Sequence, residues 1–537
     1  MDKTSPSAHQ PFNPLTLQFM QRYAILWADD EIDLLKPHTL FLEKKGYDVT
    51  TVNSGADAID RVEKNHYDVV FLDENMPGMT GLETLDYIKG ARPNVPVIMI
   101  TKSEEEMIME QAIGAKISDY LIKPLNPNQI LISVKKILDN KRLVTEKTNS
   151  SYQQDFRNLS MAYSDDIDHE EWVDIYKKLI FWDLEIENTE EKSMAEVLDT
   201  QKDEANANFT RFISENYDPW LNEVGVNKPV LSHELMAKKV FPHLEDERPL
   251  FFIVIDNLRY DQWKIIEPIV SEYFNVEEET AAYSILPTTT AYSRNAIFSG
   301  MLPSDMEKYH SDIWVGEDQE EGKNLHEAEF LQRQLKKKKI DVKTSYHKIT
   351  QTHQGRQLVD NFNNLLNNQL NVVVYNFVDM LSHARTDLQM IRELAPHESA
   401  YRSLTYSWMM HSPLLELLKR ISRENTKVVI ATDHGTIRVK HPAKIIGDRN
   451  TNTNLRYKQG KNLNFDNNKI FAVKKPEYLF LPKVNVSTTY AFATQDYFFA
   501  YPNNYNYYVN YYKDTFQHGG ISLEEMIVPV VTLNPKG

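Results

Sequence analysis

A chain of 537 residues is longer than one hydrophobic core usually serves, so two to four domains are expected. Its formal charge of −17 argues against wholesale coating of nucleic acid, and its lack of cysteine excludes disulfide frameworks and thiolate metal sites. A metal would have to be held by oxygen and imidazole. The cysteine-free composition fits a reducing cytoplasm. No apolar run approaches the roughly 18 residues that cross a bilayer. The polar N-terminus, with Asp2 and Lys3, lacks the apolar core of a signal peptide. A cytoplasmic protein without a membrane span is the expectation.

Over residues 20–140 apolar strand-like runs alternate with amphipathic helical stretches: Tyr23 to Ala28, Asp48 to Asn53, Asp68 to Leu72, Pro96 to Ile100 and Asp119 to Ile122. That alternation predicts a doubly wound parallel α/β sheet, with function at the carboxyl ends of its strands. Asp29 and Asp30 follow the first strand, Asp73 the third, Thr101 the fourth and Lys123 the fifth. A single such aspartate is more simply a helix cap. Three clustered carboxylates, however, call for a hard cation such as Mg2+. Asp73 is then placed to attack phosphorus, with Lys123 and Thr101 to hold the transferred oxygens.

The segments ILWADDE, FLDENMPGMTGLE, ITK and DYLIKP resemble the receiver domain of two-component response regulators. The resemblance implies a flavodoxin-like fold, with Asp73 as phosphorylation site and Asp29, Asp30 and Asp73 around magnesium. Thr101 and Lys123 become the switch pair and Tyr120 the rotating aromatic. A cognate histidine kinase and a phosphorylation-linked homodimer are also implied.

Residues 141–245 mix charge and leucine at helical spacing, as in Trp172, Ile175, Leu179 and Trp182, and glycine is rare. An extended helix followed by a small helical bundle linker is expected. The acidic residues Asp165, Asp166, Asp168, Glu170 and Glu171 read first as a solvated helix face and second as a partner surface.

From residue 246 to 537 the strand-end pattern recurs. Pro249 to Ile255 delivers Asp256; Asn371 to Val378 delivers Asp379, with His383 four residues on; Lys427 to Thr432 delivers Asp433 and His434. Ala281 to Leu286 leads into Pro287-Thr288-Thr289-Thr290 and a helix from Ala291 to Phe298, and His518-Gly519-Gly520 closes the series. Three aspartates, three histidines and a hydroxyl suit two divalent ions, Zn2+ first and Mn2+ second. Taken singly these residues are weak signals, and Asp256-Asn257 on its own reads as a turn or cap.

In their order, VIDNLRYDQW, LPTTTAYSRNAIFSG, NFVDMLSHARTD, ATDHG and HGGISLEEMIVP resemble the PglZ branch of the alkaline phosphatase superfamily. The resemblance implies an alkaline-phosphatase-like α/β domain. Asp379, His383 and His518 would hold one zinc, and Asp256, Asp433, His434 and the threonine the other. The proline-threonine-x-threonine turn makes Thr290 the nucleophile, with Thr289 as fallback, and Asn295 is a candidate to support a non-bridging oxygen. Receiver, linker and PglZ domain together are similar to response regulators of type IX secretion, which adds a sigma factor or secretion component as partner.

Basic residues from Arg438 to Lys475, including Lys440, Lys444, Arg449, Arg456 and Lys458, could draw in a polyanion, and the aromatics from Tyr490 to Phe516 could stack bases. The preferred activity is a phosphodiesterase acting on oligonucleotides or cyclic nucleotides. The alternatives are a metal-dependent sensing or binding module that signals through protein partners, and a phosphomonoesterase.

Overall fold

The computed structural model describes residues 23–92, 95–102, 117–138, 152, 156, 163, 167–187, 192–245, 248–316, 322–387, 397–447, 451–466 and 469–536. The chain divides into two compact units, Met1–Gln153 and Gln154–Gly537.

In the first unit the strands are β1 (Ala24–Ala28), β2 (Asp48–Val52), β3 (Val69–Asp73), β4 (Val97–Thr101) and β5 (Asp119–Ile122), all parallel, in the order β2-β1-β3-β4-β5. This is the flavodoxin-like order. The side-chain period of two sends Leu26, Ala28, Val70 and Leu72 to one face, and Ile25, Trp27, Val69 and Phe71 to the other. Helices α2 (Gly55–Lys64) and α3 (Gly81–Ala91) cover the first face with Ala58, Val62, Leu85 and Ile88. On the second face, α1 (Lys36–Lys44) contributes Leu42, and α4 (residues 127–138) contributes Ile130, Val134 and Leu138. Both faces are buried, which is why the strands read as apolar runs. Ser54 caps α2, and Thr80 with Glu83 closes a capping box on α3.

The second unit begins with α5 (His169–Glu187) and α6 (Lys192–Asn222). Asp168 Oδ1 accepts the amide protons of Glu170 and Glu171, so the acidic start of α5 serves partly as its own cap; Asp165 and Asp166 lie outside the described residues. Trp172 of α5 meets Phe209 of α6 edge-on at 5.3 Å. Polar contacts join α5 to residues far along the chain: Arg402 spans Asp183 and Glu187, and the Tyr283 hydroxyl donates to the His169 carbonyl.

A six-stranded sheet forms the core, with strands β6 (Leu250–Ile255), β7 (Phe274–Tyr283), β8 (Thr344–Ile349), β9 (Leu370–Tyr375), β10 (Lys427–Ala431) and β11 (Ile527–Pro535), ordered β7-β11-β10-β6-β9-β8. Strands β10, β6, β9 and β8 are parallel, and β11 runs antiparallel to both β7 and β10. Their register brings the ends of β6, β9 and β10 to one edge, so Asp256 and Asp433 emerge side by side.

Two sequence expectations shift. The expected strand from Asn371 to Val378 stops at Tyr375, where its pairing with Ile255 ends, and Asp379 lies instead in the first turn of helix α7 (Phe377–Asp387). Beyond that pairing the backbone groups find partners within the helix, as in the bond from the Met380 amide to the Asn376 carbonyl. The stretch from Leu523 to Val531 likewise divides into a short helix, Leu523–Met526, capped by Ser522, and strand β11.

A small sheet of Tyr457–Gly460, Thr489–Ala493 and Ile470–Val473 carries Lys458, which is 1 % exposed. Its ammonium donates to the Asn452 carbonyl at 2.8 Å and lies 4.8 Å from the Tyr501 ring centre. Burial pushes its pKa down from 10.5 to about 7. Between these values the unfolded chain holds a proton that the folded chain does not, so stability rises with pH across the window and the cost is complete below pH 7. Lys458→Met should therefore raise the unfolding free energy by a few kcal/mol at pH 7, with the gain fading toward pH 10; urea titrations at both pH values would check this.

Candidate metal centres

In the first unit the strand ends gather Asp29, Asp30 and Asp73, with one oxygen of each lying within 4.8 Å of the others. Lys123, which directly succeeds β5, reaches Asp29 Oδ2 at 2.9 Å and Asp73 Oδ1 at 2.8 Å. Burial raises the Asp73 pKa; Lys123 opposes the rise and Asp29 adds to it. Lys123 is raised above its usual value because its bonds to the two carboxylates outweigh its own burial. Thr101 is 8 % exposed at the end of β4, and its carbonyl accepts the Lys123 amide proton. Tyr120 points outward and is 41 % exposed. Gly81 is required where it stands, since a Cβ would collide with the Asp73 carbonyl.

The second unit brings together two further triads, each with ligand atoms within 4.8 Å: Asp379, His383 and His518, and Asp256, Asp433 and His434. Asp379 and His383 share one face of α7 at i, i+4 spacing. The triads adjoin one another: the His434 and His518 rings stack with centres 4.2 Å apart. Asn257, at φ 63°, donates its amide to Asp433 Oδ1 and its side chain to Asp379 Oδ1.

Thr290 lies against the second of these triads, with Oγ1 3.3 Å from Asp256 Oδ1 and 3.1 Å from His434 Nε2. The neighbouring threonines are placed differently. Thr288 accepts the Gly519 amide and donates to the Gly520 carbonyl, while the Thr289 hydroxyl is buried without a partner.

The donor groups fit divalent ions. His434 Nδ1 faces the Gly435 carbonyl and His518 Nδ1 faces the Thr288 carbonyl, which fixes the tautomer that offers the Nε2 lone pair. Asp433 Oδ1 accepts two backbone amides while its buried Oδ2 accepts no hydrogen bond. Asp256 Oδ2 is taken by Arg294 and Asn376, leaving Oδ1 toward the centre. Electrostatics agree. Burial, relieved in part by Arg294, raises the Asp256 and Asp433 carboxyls above their usual range, as uncompensated negative charge should. The pull of His383, the exposed member of its triad, works against burial at Asp379, whose pKa is lowered. Burial lowers both inner histidines, His518 to about 3, so their rings stay neutral and able to ligate.

Sequence reasoning missed Arg294, Glu327, Asn257 and Asn376. The Thr290-to-Arg294 spacing of one helical turn was the available signal for the first; Glu327 gave none. The candidate Asn295 instead spends its amide on the carbonyls of Ala291 and Lys323. Of the basic residues expected to face a polyanion, Arg456 is buried against Glu525 and Lys458 is buried in its small sheet, while Lys444 is exposed; Arg449 lies outside the described residues. The Arg456–Glu525 pair holds the His518 turn, because Glu525 also accepts the Gly520 amide. The aromatic run divides: Tyr490, Phe498 and Phe499 are core, whereas Tyr507 and Tyr508 on the helix Tyr505–Tyr512 are exposed. Among the described residues no helix is long and apolar enough to cross a membrane.

Comparison with known proteins finds a response regulator receiver domain over residues 25–135, a PorX response regulator linker domain over 142–221 and a BREX system PglZ alkaline phosphatase-like domain over 235–533. The receiver is 32 % identical over 114 residues to the transcriptional regulatory protein ResD of Bacillus subtilis, a match covering 21 % of this chain and 47 % of that one. It is 35 % identical over 114 residues to a CpxR homolog of Haemophilus influenzae, covering 21 % and 49 %. The chain thus spans about half the length of the curated relatives it matches. Among solved structures, a CheY-like receiver domain from Methanospirillum hungatei is 26 % identical and covers 22 % of this chain and 97 % of that one, with a TM-score of 0.22. A receiver implies a cognate histidine kinase. Since the PglZ match takes in more than half of its residues, the chain belongs to the PglZ alkaline phosphatase-like family, in the PorX-type architecture that joins a response regulator receiver to a phosphatase-like output.

Proposed function

We propose that the second unit is a two-metal phosphodiesterase whose nucleophile is Thr290, and that the first unit accepts a phosphoryl group on Asp73. The observation that carries the first part is the Thr290 hydroxyl 3.3 Å from Asp256 and 3.1 Å from His434, two members of one candidate ligand triad whose His434 ring stacks on His518 of the other. Asp379, His383 and His518 would hold one ion, and Asp256, Asp433 and His434 the other, with Zn2+ preferred and Mn2+ next. Such ions, when bound, supply charge stabilisation to the attacking and leaving oxygens of an in-line displacement. Thr290 Oγ forms the new bond to phosphorus as one ester oxygen leaves with a proton. Water then cleaves the phosphothreonine and restores the hydroxyl.

A diester is favoured over a monoester because the Arg294 guanidinium is committed to Asp256 and Glu327 and is not available for the additional charge of a monoester. Oligonucleotides or cyclic nucleotides are the proposed substrates. Supporting this, the exposed helix Tyr505–Tyr512 stacks Tyr507 on Tyr511 and Tyr508 on Tyr512, and the Lys444 ammonium lies 5.1 Å from the Tyr505 ring centre. In the receiver, Asp29, Asp30 and Asp73 would hold Mg2+, Lys123 and Thr101 would bind the transferred oxygens, and Tyr120 would rotate with the switch. A cytoplasmic homodimer, controlling type IX secretion through a sigma factor or secretion component, completes the proposal.

Hydrolysis of bis-nitrophenyl phosphate by zinc-loaded protein should fall to below about a thousandth in Thr290→Ala and persist in Thr289→Ala, with both metals retained by mass spectrometry. Two bound metals without turnover would instead favour a sensing module, and a preference for nitrophenyl phosphate a monoesterase. Phosphodonor and Mg2+ should raise the mass seen by light scattering from monomer to dimer in the wild type and leave Asp73→Asn unchanged. Equal masses in both would remove the phosphorylation-linked dimer.

A further inference from the structure

Arg294 is a fully buried cation, and the carboxylates of Asp256 and Glu327 beside it are equally buried. Its guanidinium divides its donors between them: Nη1 donates to Asp256 Oδ2 at 2.6 Å, and Nε donates to Glu327 Oε1 at 2.5 Å. Glu327 is fixed in turn by the Tyr346 hydroxyl at 2.5 Å and the Lys348 ammonium at 3.1 Å. Lys348, Glu327, Arg294 and Asp256 therefore form a line of alternating charge running inward to the site, each ion set against its opposite. Burial pushes against ionisation of Glu327, yet Arg294 and Lys348 hold its carboxyl below the usual range.

The consequence falls on Asp256. With Arg294 and the Asn376 amide both donating to Oδ2, at 2.6 and 2.8 Å, only Oδ1 is left toward Thr290 and His434. Arg294 closes the same helical turn that Thr290 opens, so the hydroxyl and the cation that orients its neighbour are set by one stretch of backbone.

The geometry points to Arg294, backed by Glu327, as a positioning residue that restricts Asp256 to one free oxygen and thereby sets the metal affinity of the Asp256, Asp433 and His434 centre. The inference rests on the two-metal reading of the second unit. A contrary effect is built into the same residue: its positive charge lies 3.7 Å from Asp433 Oδ2 and opposes a bound cation. Arg294→Lys separates the two, because it keeps the charge and loses the planar fork. Glu327→Gln keeps an acceptor for Nε and loses the charge that holds the fork in line.

The test uses full-length protein stripped by chelator and titrated with Zn2+ against a chromophoric competitor, with zinc per chain measured by mass spectrometry and bis-nitrophenyl phosphate kinetics run on the same samples. Arg294→Lys should bind one of its two zinc ions about 10- to 100-fold more weakly than wild type, the size usual for the loss of a group that orients a ligand, and leave the other unchanged. Its kcat should fall while KM stays near the wild-type value, and Glu327→Gln should lie between the two proteins in zinc affinity. Wild-type affinity at both sites in both variants would overturn the inference. So would tighter zinc binding in Arg294→Lys. If circular dichroism shows Arg294→Lys unfolded, Glu327→Gln decides alone: weaker zinc at one site supports the role and unchanged affinity overturns it. Wild-type protein that holds two zinc ions yet hydrolyses neither ester would sink the phosphodiesterase and leave this affinity comparison standing.

Discussion

The second unit is organised around an electrostatic constraint: Asp256 and Asp433 are both completely buried at the end of one sheet. Removing a carboxylate from water costs several kcal/mol unless a cation or hydrogen-bond donors replace the solvent. The fold supplies that compensation asymmetrically. Arg294 and Asn376 satisfy one oxygen of Asp256, and backbone amides satisfy one oxygen of Asp433. What remains is one oxygen per carboxylate turned toward neutral imidazoles. Full neutralisation by protein groups would have left nothing for a metal, and none at all would have protonated the carboxyls. Partial compensation is what a metal centre requires.

Both units reach that condition by the same architectural device. Parallel strands with both faces buried must end somewhere, and at their carboxyl ends the chain leaves the hydrogen-bond ladder at a point held by its neighbours on either side. In the first unit those ends carry Asp29, Asp73, Thr101 and Lys123; in the second they carry Asp256 and Asp433. Residues just outside the strands then complete each site. Gly81 lets the backbone pass close to Asp73, and Asn257, in the left-handed region, turns its amide back to Asp433. The positions that look least regular are thus the ones that aim the charged groups.

Much of this was legible because it is encoded by period and by order. The receiver strands were found within a residue or two, since runs buried on both faces stand out from amphipathic helices. The six candidate ligands stand out as strand-end aspartates, the histidines beside them and the His-Gly-Gly turn, while their division into two triads is what the family resemblance implies. Asp379 reads as a strand-end residue, however, because apolar Phe377 and Val378 resume the run directly after the single polar Asn376; pairing with β6 and β8 stops the strand at Tyr375, and Asn376 marks the boundary. Arg294, Glu327, Asn257 and Asn376 stayed hidden for another reason. Their roles depend on which oxygen of which carboxylate they reach, and Glu327 reaches Arg294 from 33 positions along the chain. No local pattern records that.

Helix α6 shows how far such long-range dependence extends. Asn206 accepts the Leu523 amide proton and donates to the Glu524 carboxylate, which ties the middle of the helix to the segment after His518. That segment lies against Gly435: a Cβ there would collide with the Glu524 carbonyl, and the Gly435 amide donates to the Glu525 carbonyl. Gly435 follows His434 directly, and its own carbonyl fixes the His434 ring. In close-packed surroundings such contacts leave little slack. The positions of α6 and of the His434 imidazole are therefore not independent, even though the helix contributes no atom to either triad. Helix α6 thus belongs physically to the support of the candidate ligand His434, through Asn206, the segment Leu523 to Glu525 and Gly435.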